Sequence, residues 1–291
     1  MNCTICQGAD TMRLEKRIRG SSSAKLFYCS TCDHAFLADV DLPADFYESE
    51  FNSYMQERST DNSWASAERH LASRVPEAQE HLRRLMSLVD FHHFASILDV
   101  GSSSGALLEA LGSTFPNLRI AGVEPGTGFR QFAVAHGRQV YASVDEVDST
   151  YDCIIAIFVL EHIIHPFQWL QQLRKLLIGG GIMILVVPNV KEALLSAYED
   201  SHYDQFVWQA PHLSYFSEHS LTCLLNRISP HCRIHQYQRY PLSNHLNWLS
   251  GLKPARTKNY NHINDELDRQ YRTALEAHGI ADTLVGVIYS P

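Results

Sequence analysis

The stretch ILDVGSSSGALLEAL at residues 97–111, followed by GVEPGTGF at 122–129, decides the fold of this chain. The apolar run at 97–100 is typical of a strand buried on both faces of a parallel sheet. Gly101 and Gly105 then bracket a turn, where the missing Cβ permits positive φ and the close approach of a ligand. A helix follows, and its free N–H groups favour a carboxylate or phosphate above the turn. The pattern predicts a nucleoside-binding site at the edge of a parallel sheet.

The next predicted strand, IAGVE, ends on Glu124, whose carboxylate can accept hydrogen bonds from both hydroxyls of a ribose. A dinucleotide-binding turn has glycine at its first, third and sixth positions, which are Gly101, Ser103 and Ala106 here. A pyrophosphate needs close backbone approach at the position of Ser103. NAD or FAD is therefore the less favoured ligand.

A third segment, YDCIIAIFVLEHIIHPFQWLQQLRKLLIGGGIMILVVPN at 151–189, contains two more apolar runs. It predicts a buried strand at 153–158, a helix that begins near Pro166, a glycine-rich stop, and a second buried strand at 182–187. Apolar residues at helical spacing give that helix one face for the sheet: Leu170, Leu173 and Leu177. Alternating strands and helices indicate an α/β protein.

The turn resembles motif I of class I S-adenosylmethionine-dependent methyltransferases, D-x-G-x-G-x-G, in which Asp99, Gly101 and Gly105 match. Ser103 replaces the middle glycine. The third segment is similar to strand four, the LEH turn, helix D and strand five of the same superfamily, especially of its ubiquinone-biosynthesis-like and sugar-modifying branches. The resemblance implies a Rossmann-like, doubly wound, seven-stranded α/β sheet and S-adenosylmethionine as the cofactor.

This resemblance also implies a role for each part of the cofactor site. The turn holds the methionyl portion, Glu124 the ribose and residues 143–145 the adenine, while Phe158 walls the pocket near the methyl group. Asp99 orders the turn or contacts the cofactor's amino group, directly or through water. The cofactor-binding residues expected from it are Asp99, Gly101, Ser102, Ser103, Gly105, Glu124, Pro125, Ser143, Val144, Asp145 and Phe158.

Four of the seven cysteines form two C-x-x-C pairs that residues 7–28 separate: Cys3, Cys6, Cys29 and Cys32. Two such pairs complete a tetrahedral set of four thiolates, which suits zinc. A site with four protein ligands is closed, so the zinc is expected to be structural. Metal-free reduced cysteines and a redox pair are the alternatives, and His34 is near enough to be another ligand.

These features divide the chain into a zinc-ribbon module at 1–40, a helical cover at 41–92 and a methyltransferase core at 93–291, with substrate-side insertions near 190–216 and 241–275. A zinc knuckle before such a core resembles bacterial sugar C-methyltransferases that act on nucleotide-linked deoxysugars. Those relatives carry a further C-terminal α/β domain, whereas this chain ends at the strand DTLVGVIYS.

The sequence therefore favours a sugar, a nucleotide sugar or a polysaccharide precursor as the small-molecule acceptor. A phenol or another small metabolite methylated on oxygen is the alternative, and the acceptor atom stays open between oxygen, nitrogen and carbon.

Candidate acceptor-side residues lie in two segments. In the sugar-modifying relatives an H-L-x-x-F-S segment helps to form the acceptor side, and it corresponds to His212 and Tyr215 here. A histidine can remove a proton near neutral pH, although His212 can equally serve to order its loop. Family resemblance further suggests that Tyr47 or Tyr54 of the cover faces the sulfonium or the substrate.

His162 of the LEH turn is a second candidate base. Ubiquinone-type O-methyltransferases often have E-x-x-E-H at this turn, which can hold a divalent metal against a catechol. Phe158 stands at the first acidic place of that pattern. The metal-assisted catechol reaction is therefore disfavoured.

Composition limits the remaining functions. The chain has 291 residues, 45% hydrophobic and 19% charged, with a net charge of −8, so it has no overall attraction for nucleic acid or anionic membranes. Its N-terminus lacks signal-peptide features and no apolar run approaches the ~18–20 residues of a membrane span, which predicts a cytoplasmic protein. A dinucleotide-dependent oxidoreductase and a non-catalytic zinc-ribbon RNA-binding protein are the alternative classes.

Three local expectations complete the prediction. Residues 64–90 are expected to be helical with a break at Pro76. Residues 241–275 are expected to form a partly irregular excursion that caps the acceptor site or forms a dimer contact. Ser217 is expected to cap a helix that runs to about Arg227.

Overall fold

The computed structural model describes residues 1–43, 45–58, 63–253 and 257–290. Its strands are β1 Thr11–Leu14, β2 Lys25–Cys29, β3 His34–Ala38, β4 Ser96–Val100, β5 Arg119–Val123, β6 Gln139–Tyr141, β7 Tyr151–Ile157, β8 Leu177–Pro188, β9 Ser214–Tyr215, β10 Cys232–Tyr237 and β11 Thr283–Tyr289. Its α-helices are α1 Phe51–Arg58, α2 Ala67–Met86, α3 Ala106–Thr114, α4 Thr127–Ala135, α5 Pro166–Lys175, α6 Ala193–Ser196, α7 Ser201–Val207, α8 Glu218–Asn226, α9 Leu242–Leu249 and α10 Asp265–Ala277.

A seven-stranded sheet has the order β10-β11-β8-β7-β4-β5-β6. Strand β4 pairs in parallel with β5 and with β7, and β5 pairs in parallel with β6. The last two strands, β10 and β11, are antiparallel to each other. All five residues of β4 are buried, as expected for a parallel strand covered by helices on both faces. The predicted α/β doubly wound sheet is confirmed.

The chain divides into two compact units. One consists of Met1–Leu42, Phe158–Trp169 and Leu185–Ile288. The other consists of Pro43–Ile157, Leu170–Ile184 and Tyr289–Pro291.

The unit that contains the N-terminus has a second sheet, with the order β1-β2-β3-β9. In it Ala35 pairs with Tyr215 and Phe36 with Ser214, and Leu37 N–H donates to the carbonyl of Leu213 at 3.0 Å. The sheet contributes to a core of buried side chains: Ile18, Leu26, Ala35, Leu37, Trp208, Ala210 and Tyr215. Residues 214–215, which the sequence placed on the acceptor side, are therefore the edge strand of the cysteine-bearing sheet.

Helix α2 runs through Pro76 without a break, so the predicted interruption is wrong. Proline removes one N–H donor, which leaves the carbonyl four residues earlier, at Ala72, without its helical partner. Both Pro76 and Ala72 are exposed, so water can satisfy that carbonyl. The buried face, with Leu82 and Leu85, offsets the remaining cost by packing.

Residues 241–275 combine two helices with irregular chain between them, which agrees with the prediction of a partly irregular excursion. They contain α9 and most of α10, and the side chain of Asn264 caps α10 by accepting from Leu267 N–H. The two helices meet through a hydrogen bond of 2.6 Å between His245 Nδ1 and Tyr271 Oη. Residues 254–256 of this segment lie outside the described residues, as do residues 44 and 59–62 of the predicted cover.

Other boundaries differ by small shifts. The glycine run at 179–181 lies inside β8 and is not a stop after the helix, because α5 already ends at Lys175. Ser217 caps α8 as predicted, through a reciprocal capping box with Ser220. In the part of the chain that the structure describes, no helix is both long enough and apolar enough to span a bilayer.

One acidic side chain lies inside the central strand β4. Asp99 is 3% exposed. Burial, together with the nearby carboxylate of Glu124, raises the pKa of Asp99 to about 7. The folded protein therefore holds this proton more tightly than the unfolded chain, in which an aspartate has a pKa of about 4. Between about pH 4 and pH 7 the folded state binds more protons, so its stability falls as pH rises.

We expect Asp99→Asn to remove this part of the pH dependence. Urea unfolding at a series of pH values from about 4 to 7 should show wild-type protein losing free energy of unfolding as pH rises, and the variant losing less. Asp41→Asn, which changes an exposed aspartate, is the matched control. Identical pH dependence in wild type and Asp99→Asn would show that burial does not hold the proton on Asp99.

Candidate functional site

A glycine-bearing turn follows β4. Gly101 and Gly105 have φ of 82° and 91°, in the left-handed region that glycine adopts without strain. Ser103, at the place of the missing glycine, also has a left-handed φ of 50°. Gly101 and Ser102 both donate their N–H groups to the carbonyl of Val123, at 2.8 and 3.0 Å. The turn is thus tied directly to the carboxyl end of β5.

Glu124 stands just beyond β5, beside this turn. Its carboxylate accepts the N–H of Ser103 at Oε2 and the N–H of Gly126 at Oε1, both at 2.7 Å. Glu124 is 8% exposed, and burial raises its pKa although these two bonds act in the opposite direction. Each carboxylate oxygen has two lone pairs, so each retains one acceptor position. The carboxylate can therefore take two hydroxyl donors while it still braces the turn.

The N-terminus of α3 lies at the same turn. Gly105 occupies its N-cap position and offers no side chain to the first N–H groups of the helix. These donors and the positive end of the helix dipole suit a carboxylate. The hydroxyl of Ser104 is 2.7 Å from His70 Nδ1 of α2, which anchors the turn from its other side. A nucleoside with an amino-acid tail fits this donor set.

Aromatic side chains of residues 46–54 border the turn. The ring of Phe46 meets those of Tyr47, Phe51 and Tyr54 at centroid distances of 5.1, 5.9 and 5.6 Å. A Cβ placed on Gly126 would lie 3.6 Å from the carbonyl oxygen of Tyr47, which places the backbone of the cover beside the loop that Glu124 braces. The expected role of Tyr47 or Tyr54 near the sulfonium stays a prediction.

The segment predicted to hold the adenine comes after β6. Ser143 precedes a short 3-10 turn at Val144–Glu146, and Glu124 N–H donates to the carbonyl of Tyr141 at 2.9 Å. The end of β6 and Glu124 are therefore neighbours. Whether residues 143–145 hold the base stays a prediction, as does the role of Pro125.

Phe158 follows β7 with a φ of 56°. The left-handed region is a genuine outlier for a bulky side chain, and such strain persists where surrounding structure enforces it. Phe158 N–H donates to the carbonyl of Val186 at 2.8 Å, and the guanidinium carbon of Arg239 lies 4.6 Å from the Phe158 ring centroid. The expected role of Phe158 in walling the methyl group is untested.

The LEH turn and the segment around His212 meet in a polar cluster of Glu161, His162 and His212. One ligand atom from each of the three lies within 4.8 Å of the others. Two hydrogen bonds join the segments: Leu213 N–H donates to the carbonyl of Glu161, and His162 Nδ1 donates to the carbonyl of Pro211, both at 2.8 Å. Tertiary structure thus brings together the two histidines that the sequence named separately.

Burial governs the charge of this cluster. Glu161 is 1% exposed, and burial raises its pKa to about 8. Burial also lowers the pKa of His162 to about 4 and that of His212 well below the usual range. Oε2 of Glu161 has no hydrogen-bond partner among the described residues. The cluster is therefore close to neutral and retains an unused acceptor.

Tyr215 packs behind the cluster. Its hydroxyl accepts the N–H of Gln209 at 2.8 Å and lies 3.1 Å from the Gln209 carbonyl, and the residue is 5% exposed. The Gln209 side chain reaches His212 Nε2 at 2.9 Å and accepts from Arg19 at 3.0 Å. Sequence reasoning missed Gln209 and Arg19, because no local pattern links residues so far apart in the chain.

The four N-terminal cysteines converge as predicted. Their sulfur atoms lie within 4.8 Å of one another, with Cys3 and Cys32 at 3.6 Å and Cys6 and Cys29 at 3.5 Å. A tetrahedron with metal–sulfur bonds of about 2.3 Å has edges of about 3.8 Å, so the set fits zinc. The N–H groups of Ile5 and Gly8 point at Cys3 and Cys6, both at 3.4 Å.

His34, the alternative ligand, lies against this set. Its Nδ1 is 3.5 Å from the sulfur of Cys3, and its ring is buried against Phe36 and Phe216. Since four thiols already surround one point, His34 is placed to hydrogen-bond a thiolate from behind.

Comparison with known proteins agrees with this geometry. A methyltransferase domain family model matches residues 63–228, more than half of the chain. No curated protein sequence gives a significant match.

Solved structures share the fold at low identity. A SAM-dependent methyltransferase from Archaeoglobus fulgidus has a TM-score of 0.52 at 15% identity, over 83% of this chain and 100% of its own. Another from Thermotoga maritima has a TM-score of 0.51 at 13% identity, over 83% and 98% of the two chains. The chain belongs to the methyltransferase domain family and has the fold of the S-adenosylmethionine-dependent methyltransferases.

Proposed function

We propose that this methyltransferase acts on a hydroxyl group of a small polar acceptor, with a sugar or nucleotide-linked sugar as the acceptor class. The cluster of Glu161, His162 and His212 carries the proposal, because it offers hydrogen-bond acceptors to a hydroxyl group. Glu161 Oε2 in particular is buried with an unused lone pair. Methylation of a phenol remains the second candidate, favoured by the resemblance of the LEH turn to ubiquinone-type enzymes. Release of S-adenosylhomocysteine across panels of nucleotide sugars and phenols tests the choice.

We propose that Glu124 holds the cofactor together with the turn that follows β4. When bound, S-adenosylmethionine supplies an electrophilic methyl group on a sulfonium. Glu124 would accept the ribose hydroxyls, and the N-terminus of α3 would face the carboxylate of the methionyl part. Asp99 would order the turn or contact the amino group, as the resemblance implies.

On the acceptor side, His212 is proposed to receive the hydroxyl proton, with His162 as its neighbour in the cluster. Their ring centroids are 4.9 Å apart, edge to face. Tyr215 would act through the loop that it braces, since its hydroxyl contacts the backbone of Gln209. Tyr47 would line the cofactor side, and holding donor and acceptor in line would supply much of the rate.

The four cysteines are proposed to bind a structural zinc ion. Their sheet includes β9 as its edge strand, and a single residue, Leu213, separates His212 from β9. A metal that fixes this sheet would therefore also fix the backbone of the segment that carries His212. Such a small module gains much of its stability from its metal.

We expect Glu124→Ala to weaken the binding of S-adenosylhomocysteine by about 1–3 kcal/mol, because it removes charge-assisted hydrogen bonds. Glu124→Gln keeps one carbonyl oxygen and should lose less. Isothermal titration of both variants and wild type gives the comparison. Unchanged affinity in both would contradict the placement of the ribose.

We expect His212→Ala to lower kcat by about 10²–10⁴-fold while the affinity for S-adenosylhomocysteine stays near that of wild type. His165→Ala, in the same turn as His162 but exposed, is the control and should keep wild-type turnover. A parallel loss of cofactor affinity and of melting temperature in His212→Ala would show that His212 only orders its loop.

We expect purified protein to contain zinc, and Cys3→Ser/Cys29→Ser to contain about one equivalent less. Elemental analysis measures the difference. Cys223→Ser, which lies outside the cluster, should retain the wild-type content. Equal zinc in all three proteins would place the metal elsewhere.

A further inference from the structure

The cluster of Glu161, His162 and His212 has a donor set that a general base alone does not need. Two imidazoles and one carboxylate converge, with one ligand atom from each within 4.8 Å of the others. We propose that these three residues bind a divalent transition-metal ion at the acceptor side. The role of that ion in methyl transfer rests on the function proposed above.

The carboxylate is the clearest indication of a missing ligand. Leaving a buried polar atom without a partner costs about 1–3 kcal/mol, so such atoms are rare in folded proteins. Oε2 of Glu161 is one of them, and Glu161 is 1% exposed. A cation would supply the partner that the described residues do not.

His162 is already arranged as a metal ligand. Its Nδ1 donates a hydrogen bond to the carbonyl of Pro211 at 2.8 Å, so its Nε2 carries the lone pair. Histidine ligands usually make this kind of bond from the nitrogen that does not bind the metal. The carbonyl belongs to the residue next to His212, and Leu213 on the other side donates to Glu161. The segments that carry the three ligands are thus fixed together by their own backbone.

His212 approaches from the second segment. Its Nε2 is 2.9 Å from the side-chain nitrogen of Gln209, whose oxygen accepts from Arg19 at 3.0 Å. A cation bound to Nε2 of His212 would replace the contact with the Gln209 amide, and Gln209 would still be held by Arg19. Both His162 and His212 are partly exposed, so a small ligand can reach the cluster.

The donor set narrows the choice of metal. Imidazole and carboxylate together suit zinc, manganese, iron or cobalt better than calcium or magnesium, which prefer oxygen alone. Three protein ligands leave positions open for water or for an acceptor hydroxyl. The set also differs from an E-x-x-E-H turn, because His212 supplies a ligand and Phe158 cannot.

In the methyl transfer, the cation would lower the pKa of a bound acceptor hydroxyl. The O–H bond breaks and its proton passes to solvent. The resulting oxygen anion then forms the new O–CH₃ bond as the S–CH₃ bond of the sulfonium breaks, with that electron pair remaining on sulfur. With a cation bound, His162 and His212 would serve as ligands, and this role of His212 would replace the base role proposed for it above, with solvent taking the proton.

Manganese is the probe that separates this cluster from the cysteines, because Mn²⁺ prefers oxygen and nitrogen over thiolate. Full-length protein, treated with EDTA to remove weakly held metal, is titrated with Mn²⁺ alone and followed by electron paramagnetic resonance. We expect about one Mn²⁺ per chain, with an affinity reduced by more than about tenfold in Glu161→Gln and in His212→Ala. His165→Ala should match wild type.

Binding of S-adenosylhomocysteine and the melting temperature are measured on the same proteins, to show that each variant is folded. Failure of Mn²⁺ to bind folded wild type, or equal binding by folded Glu161→Gln, would overturn the metal site. Methyl transfer at full rate in EDTA would overturn the role of the metal in the reaction, but would leave the proposed acceptor intact. Mn²⁺ binding that depends on Glu161 and His212, with no turnover of any hydroxyl acceptor, would support the metal site and reject the acceptor.

Discussion

The two hydrogen bonds that Ser103 and Gly126 donate to the Glu124 carboxylate hold the cofactor side of the molecule together. They join the turn after β4 to the end of β5, and parallel pairing of these strands places both at the same edge. The carboxylate thus braces two loops, and its remaining lone pairs are the ones proposed to accept the ribose hydroxyls. This double use explains why an acidic side chain is tolerated at 8% exposure, where its desolvation raises its pKa.

Several buried acidic groups show that this fold keeps polar groups at a cost in stability. Burial raises the pKa of Asp99 to about 7 and the pKa values of Glu161 and Glu192 to about 8. Glu192 has a direct partner in the hydroxyl of Tyr203, whereas Oε2 of Glu161 has none among the described residues. The Glu161 carboxylate interacts with its own backbone N–H and with the charge of Arg239, so the missing hydrogen bond concerns Oε2 alone. This atom, beside two histidines, is the observation on which the proposed metal site rests.

The N-terminal sheet links the cysteine cluster to the segment around His212. Strand β3 pairs with β9, and Arg19, in the loop between β1 and β2, holds Gln209 next to His212. The module at 1–40 was expected from its cysteine spacing, but its sheet also includes Ser214 and Tyr215, which are distant in the sequence. A metal bound by the four cysteines, as proposed, would therefore also help to fix the backbone next to His212.

Much of the fold and half of the candidate site could be predicted from local sequence. Apolar runs, the glycines of the turn and the C-x-x-C pairs act over a few residues, so they indicated β4, β5, the turn, Glu124 and the cysteine set. Local pattern failed at Pro76, where packing outweighs the lost hydrogen bond, and the two helices within 241–275 were not located.

By itself, the sequence determined the methyltransferase core, because strand burial, left-handed turns and helix starts depend on neighbouring residues. Only the tertiary structure decided that Glu161, His162 and His212 share one cluster, since backbone hydrogen bonds join segments about 50 residues apart. It also decided that Oε2 of Glu161 has no hydrogen-bond partner among the described residues. Whether a buried atom has a hydrogen-bond partner depends on every side chain packed around it, and residue spacing in the sequence does not predict that packing.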